Sequence, residues 1–186
     1  MSEAPAWFET LSSETRYTGY SQVIVERVRT PDGETVEREV VRHDDAVAVV
    51  PVLDDGRVLL LKQYRQPLRA HVLEIPAGKM DVDGESAEDV AHRELAEETG
   101  HGARDLRHLT TFLNSAGWCT ERTHVYLGTG VHPVDAPAGF VPKAEEAAME
   151  LVPFDVDAAL DAVRAGQLTD SKTVIGLLLA APHLGG

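Results

Sequence analysis

The sequence predicts an α/β fold, a sheet covered by helices, with a small antiparallel β unit at its N-terminal end. Short runs rich in β-branched and aliphatic residues recur at 23–25, 46–53, 58–61 and 123–128. Stretches with helix-cap signals are interspersed among them, at 86–100 and 155–166 with both ends marked and at 170–181 with its start marked. Strands and helices mixed along one chain must bury the faces of a sheet under helices. At 186 residues the chain is long enough for one domain with a sizeable core and a small appendage.

Residues 1–8 read as a loose lead-in. Strands are predicted at 15–20 and 21–30, the second carrying Val23, Ile24, Val25 and Val28, and a returning strand at 34–42 with Val36 follows the turn Pro31-Asp32-Gly33. This unit is charged on one face and poor in apolar residues, so it must pack on the main domain or on a second subunit. The expected division is residues 1–43 as N-terminal strands at a dimer interface and 44–186 as the main domain.

The run AVAVVPVL at 46–53 predicts a buried strand, Asp54-Asp55-Gly56 a turn, and 57–64 the strand returning from it. A third strand, 72–76, leads into a loop at Gly78. Ser86 with Asp89 three residues on is an N-cap signature, and Gly100 stands where a helix ends. Further strands are predicted at 106–113 and 123–128, separated by the loop 114–122. Residues 130–142, rich in Pro, Gly and Ala, read as a mobile excursion. A strand at 150–154 then precedes a helix capped by Asp155 or Asp157 that runs through Val163 to Gly166. Asp170 caps the last helix, 171–181, with Val174, Leu177 and Leu178 as its buried stripe.

With 17 basic and 31 acidic residues the formal charge is −14, which argues against binding nucleic acid or an anionic membrane over a broad surface. An anionic substrate must therefore be met by local cations and metal. Cys119 is the single cysteine, so no intramolecular disulfide forms, and the eight histidines lack zinc spacing. Residues 1–10 do not read as a signal peptide, and the apolar stretch 174–182 is too short to span a bilayer. A soluble cytoplasmic protein is the expectation.

The chemistry concentrates at residues 78–101, GKMDVDGESAEDVAHRELAEETGH. A helix of 3.6 residues per turn places Glu94, Glu97 and Glu98 on one side and Val90, Ala91 and Leu95 towards another. Glu94 and Glu98 are four apart, so like charges converge and destabilise a bare helix. A divalent cation with oxygen ligands offsets that repulsion, and Mg²⁺ also takes phosphate oxygens, which points to diphosphate chemistry. The alternative is a solvated acidic face. Against it, Arg93 can pair with Glu97 or reach back to Glu85, and the preceding loop offers a backbone carbonyl, that of Ala77, to a metal.

These residues resemble the Nudix box: a glycine, five residues, Glu, seven residues, Arg-Glu, an aliphatic, any residue, Glu-Glu, any residue, Gly and an aliphatic. The match is complete from Glu85 to Gly100. Six residues separate Gly78 from Glu85, and His101 replaces the final aliphatic. The resemblance implies a Nudix hydrolase, an α/β/α sandwich with a mixed sheet over about residues 44–184, using Mg²⁺ or Mn²⁺. Glu94, Glu97, Glu98 and Ala77 are the implied metal ligands, with Arg93 and Glu97 in the catalytic set.

Outside the box, the N-terminal strands, the segment 62–81, the loop 115–121 and the closing helices resemble ADP-ribose pyrophosphatases. Members of that group cleave ADP-ribose into AMP and ribose 5-phosphate, usually as homodimers that exchange N-terminal strands. Many carry a proline sixteen residues after the last box glycine; here that position is Ala116, which leaves other nucleoside diphosphate sugars as competing substrates. A domain that only senses ADP-ribose is the reading from another class. Arg65 resembles a ligand-binding arginine, with a surface ion pair as the alternative. An unpaired carboxylate at Glu74 in LEIPAG would be costly; the residue resembles a nucleotide-binding glutamate, with a structural pairing as the alternative. Trp118 is placed to stack on adenine or else to be a core or interface aromatic, and Trp7 resembles an aromatic covering adenine across the dimer. Glutamates committed to metal are poor proton acceptors, so a base outside the box is expected. By resemblance it lies about 45 residues after the box, at Glu145 or else Glu146.

Overall fold

The structure, a computed structural model, describes residues 7–135, 137, 139–141 and 146–184. It comprises two compact units, Met1–Asp45 with Leu113–Arg122, and Ala46–Phe112 with Thr123–Gly186.

In the first unit, β1 (Glu9–Thr18), β2 (Gln22–Arg29) and β3 (Thr35–Arg42) form an antiparallel sheet in that order. β1 starts at Glu9 rather than at residue 15. Its first half is polar and carries no apolar alternation, and pairing with β2 extends it: Glu9 faces Arg29 and Thr10 faces Val28. The Pro31-Asp32-Gly33 turn is closed by the Thr30 amide donating to the Glu34 carbonyl at 2.9 Å. Ile24, Val28 and Val41 supply the buried apolar side chains of these strands. The loop 114–122 is fastened to β3, because the Val41 amide donates to the Trp118 carbonyl (2.8 Å) and the Thr120 amide to the Val41 carbonyl (2.9 Å).

The second unit holds β4 (Ala46–Pro51), β5 (Arg57–Arg65), β6 (Ala70–Glu74), β7 (Ala77–Lys79), α1 (Ala87–Thr99), β8 (His101–Gly102), β9 (Asp105–Leu113), β10 (Arg122–Thr129), β11 (His132–Pro133), β12 (Glu150–Asp155), α2 (Val156–Arg164) and α3 (Ser171–Ala180). One sheet runs β7-β4-β10-β9, with β4 parallel to β10 and antiparallel to β7. A second, β12-β5-β6, is antiparallel. β4 is buried on both faces, which explains its unbroken apolar run. Val47 and Val49 pack with Val90, Ala91 and Leu95 of α1, while Ala48 and Val50 pack with Ala159 of α2 and Leu177 of α3. This alternation makes the unit a helix–sheet–helix sandwich with a mixed sheet.

Two sequence expectations are corrected here. The sequence predicts a loop around Gly78; Ala77–Lys79 instead forms β7, too short to show a period of its own and held by pairing with β4. In α3 the buried face is Thr173, Gly176, Leu177 and Ala180, and Leu178 is exposed. Glycine lies on the face packed to the sheet, where a Cβ at Gly176 would stand 2.8 Å from Val50 Cγ2. Within 130–142, His132–Pro133 pairs with His101–Gly102. No helix among the described residues is long and apolar enough to cross a membrane.

Candidate active site

Helix α1 carries the site, and its ends are fixed as the sequence predicts. The Ser86 hydroxyl accepts from the Asp89 amide (3.2 Å) and the Asp89 carboxylate accepts from the Ser86 amide (3.1 Å), a reciprocal capping box. Gly100 closes the helix in the left-handed region, φ 64°, its amide donating to the Ala96 carbonyl. The apolar stripe Val90, Ala91 and Leu95 is buried against β4, which turns the glutamates towards β7.

Arg93 organises the carboxylates. Its Nε donates to Glu85 (3.2 Å), its Nη1 to Glu94 (2.6 Å) and Glu97 (3.1 Å), and its Nη2 to the Lys79 carbonyl (3.2 Å). Both partners that the sequence offered as alternatives, Glu85 and Glu97, are taken at once. Glu98 turns instead to β7, accepting from the Ala77 amide at 2.8 Å. Among the described residues, no three acidic, histidine or cysteine side chains converge on one cation-sized point. Glu94 and Glu97 share the guanidinium while Glu98 holds the strand. The contact from Ala77 described here is its N–H; its carbonyl was the implied ligand.

Glu94 is the desolvated carboxylate of the cluster. A Cβ at Gly78 would overlap its carboxylate, so glycine is what admits Glu94 to this position. Burial pushes its carboxyl up to about 7, with Arg93 pulling it down and Glu97 and Asp81 adding to the rise. Burial also opposes the charge of Arg93, but Glu94 and Glu85 together hold the guanidinium above the ordinary arginine range. The two directions agree physically: one cation is divided among several carboxylates, so Arg93 is over-supplied with anions and Glu94 under-supplied with cations. The oxygens of Glu94, Glu97 and Glu98 are the hard donors that a divalent cation takes, and in this arrangement Arg93 and the Ala77 amide engage them.

Arg65 and Glu74, separated by nine positions, meet directly. Arg65 Nε and Nη2 donate to the two Glu74 oxygens at 2.7 and 2.5 Å. Glu74 is buried in its apolar strand, and its carboxylate is paired with the Arg65 guanidinium, the structural pairing that is the alternative to nucleotide binding. Its carboxylate is the first cause of the raised Arg65 guanidinium; burial opposes, and Asp170 and Glu98 add to the rise. The Glu98 contribution ties this pair to the box helix. Lys172, unmarked by any motif in the sequence, lies 3.4 Å from Glu74 and 2.7 Å from Asp170. The signal for it was thin: Asp170 registers only as a cap, and a lysine in the first turn of an apolar helix reads as solvent-facing.

Trp7 and Trp118 both belong to the first unit and are exposed, so Trp118 is not a core residue. Trp118 and Phe8 line a cavity of about 400 Å³ with Val28, Val40 and Ala116. Glu150 belongs to β12 and pairs with Lys62 of β5 across the strands, at 3.2 Å. Glu146–Ala148 forms a single 3-10 turn; Glu145 and the Glu146 side chain lie outside the described residues.

Among known proteins, the family model described as the NUDIX domain matches residues 42–169. The chain belongs to the Nudix family. Its box is the α1 constellation just described, and divalent metal ions are the family's general cofactor. An ADP-ribose pyrophosphatase of Bacillus subtilis is 35% identical over 170 residues, covering 91% of this chain and 90% of its own. A methanol dehydrogenase activator of Bacillus methanolicus matches at the same identity and coverage. An ADP-ribose pyrophosphatase of Mycobacterium tuberculosis is 37% identical over 172 residues, 92% of this chain and 82% of its own. A solved structure of an ADP compounds hydrolase superposes with a TM-score of 0.84 over 98% of this chain and 97% of that one, at 22% identity, which is a likeness of fold. The Nudix sandwich anticipated from the box is thus the fold observed.

Proposed function

We propose that this Nudix enzyme hydrolyses the pyrophosphate bond of a nucleoside diphosphate sugar, ADP-ribose to AMP and ribose 5-phosphate. The observation that carries it is the Arg93-centred cluster, in which Glu94 is buried among like charges and left short of cations. Similarity to the ADP-ribose pyrophosphatases of Bacillus subtilis and Mycobacterium tuberculosis favours ADP-ribose. Glu94, Glu97 and Glu98, with the Ala77 carbonyl, would hold Mg²⁺ (or Mn²⁺), which supplies charge neutralisation of the diphosphate and activation of a water. Arg93 keeps the carboxylates in register, and Glu145 or Glu146 takes the proton of the attacking water. Water adds to phosphorus, the bridging P–O bond breaks, and two phosphate monoesters leave. Arg65 and Glu74 bind the nucleotide, while the exposed rings of Trp7 and Trp118 are available to stack on adenine.

The working form is a homodimer joined through residues 1–43. β1 is a sheet edge and all ten of its residues are exposed, a template for pairing with another chain. The protein works in the cytoplasm, where its free Cys119 stays reduced.

The decisive test incubates the protein and Mg²⁺ with nucleotide sugars, dinucleotides and nucleoside triphosphates and ranks turnover. ADP-ribose should lead, and excess chelator or Glu98→Gln should abolish the reaction. Binding of ADP-ribose without its consumption would replace the hydrolase with a sensor.

A further inference from the structure

The cleft at the end of β6 is built around four alternating charges. Arg65, Pro67, Leu68, Val72, Glu74 and Asp170 line a space of about 250 Å³. Behind the Arg65–Glu74 pair stands Lys172, whose Nζ is 3.4 Å from Glu74 Oε2 and donates to Asp170 Oδ1 at 2.7 Å. Asp170 Oδ2 accepts from the Thr173 amide (2.9 Å) and hydroxyl (2.8 Å), and the Thr173 hydroxyl accepts from the Ile75 amide (2.9 Å). The Lys172 ammonium is thereby fixed by the N-cap of α3, and the Glu74 backbone by its neighbour Ile75. The four side chains differ in exposure, with Asp170 at 12%. The Glu74 side chain is 4% exposed, Lys172 17% and Arg65 39%. Arg65 is the most exposed of the four and the one most open to a ligand in the cleft.

A buried carboxylate is tolerated only while it has a counter-ion. If the outer guanidinium were Glu74's sole partner, moving it to a ligand oxygen would strand the carboxylate, and that loss would subtract from ligand affinity. With Lys172 in place, Glu74 keeps a cation whichever way Arg65 points. We propose that Lys172 is a positioning residue: it remains as the counter-ion of Glu74 so that Arg65 can turn its guanidinium to an anionic oxygen of the nucleoside diphosphate. This rests on the reading of Arg65 and Glu74 as substrate-binding residues. Lys172 itself touches no substrate. Its effect falls on substrate capture rather than on the chemical step, because the contact it releases is made on binding.

The test is steady-state hydrolysis of ADP-ribose with Mg²⁺ by the full chain, with melting temperatures measured in parallel. Lys172→Met should raise KM about tenfold or more while kcat stays within about threefold, and Lys172→Arg should restore KM. In a Glu74→Gln background, where no buried anion needs a partner, the KM effect of Lys172→Met should shrink to within about twofold. Should Lys172→Met fail to fold, Lys172→Gln, which keeps a donor for Asp170, carries the same comparison. A lower melting temperature with KM within about threefold of the parent would make Lys172 a clamp between β6 and α3 and overturn the proposal. So would a KM effect that persists undiminished beside Glu74→Gln. An unchanged KM in Arg65→Met would instead defeat the underlying reading of Arg65, independently of how Lys172 behaves.

Discussion

Glu94→Gln in metal-free protein should raise stability at alkaline pH while removing metal-dependent turnover. The Glu94 carboxyl has an ordinary value of 4.5 and sits at about 7 in the folded chain, first because burial penalises its charge. Its proton is therefore held more tightly in the folded state than in the unfolded one. The resulting stabilisation is complete below pH 4.5 and is lost as pH rises towards 7. At roughly 1.4 kcal/mol per pH unit, the ionised side chain at pH 8 costs the fold about 3 kcal/mol relative to its neutral form. Glutamine has the shape of the protonated acid and no charge to desolvate. In excess chelator at pH 8 the variant should thus melt about 6–12 °C above the parent, given ~2–4 °C per kcal/mol for a chain of this size. Near pH 4.5 the two should coincide. Saturating Mg²⁺ should close the gap by stabilising only the parent, by about 2.7 kcal/mol at a hundredfold excess over Kd. Calorimetry across pH, with and without metal, reads all three effects. Equal or lower stability of Glu94→Gln at pH 8 in chelator, or an advantage that persists undiminished at pH 4.5, would refute the argument that burial dominates this carboxylate.

Gly78→Ala places a methyl group on the Glu94 carboxylate, the movable end of a side chain, so melting should change little while turnover falls about 10²-fold from the displaced ligand. Gly176→Ala sets a Cβ 2.8 Å from Val50 Cγ2 and 3.0 Å from Ile75 Cδ1. Overpacking of ~1–3 kcal/mol should exceed the ~1 kcal/mol gained in helix propensity, which denaturant unfolding will measure as a net loss. Of Glu145→Gln and Glu146→Gln, tested separately, the one that removes the base should slow turnover roughly 10²–10⁴-fold with substrate affinity retained; less than tenfold in both would place the base elsewhere. Light scattering should report a dimer at micromolar concentration, and a chain starting near His43 should lose stability and activity.

The sequence by itself determined the elements whose signals are local. Ser86, Asp89 and Gly100 mark both ends of α1 because caps satisfy backbone groups within one turn, and the i, i+4 spacing alone puts the glutamates on one face. The unbroken apolar run of β4 foretold burial on both sides for the same kind of reason, since each residue's environment is set by its own alternation. The box motif also carried the family, because its chemistry needs fixed residue types at fixed intervals. Tertiary structure decided what depends on distant partners. β1 extends to Glu9, and β7 exists at all, only because β2 and β4 offer backbone groups to pair with. The choice of Arg93 for Glu85, Glu94 and Glu97 together, the turning of Glu98 to the Ala77 amide, and the burial that raises Glu94 all follow from packing α1 on β7. Lys172 shows the same limit most plainly. Ninety-eight positions separate it from Glu74, and no local pattern can announce a counter-ion that only the docking of α3 against β6 brings within 3.4 Å.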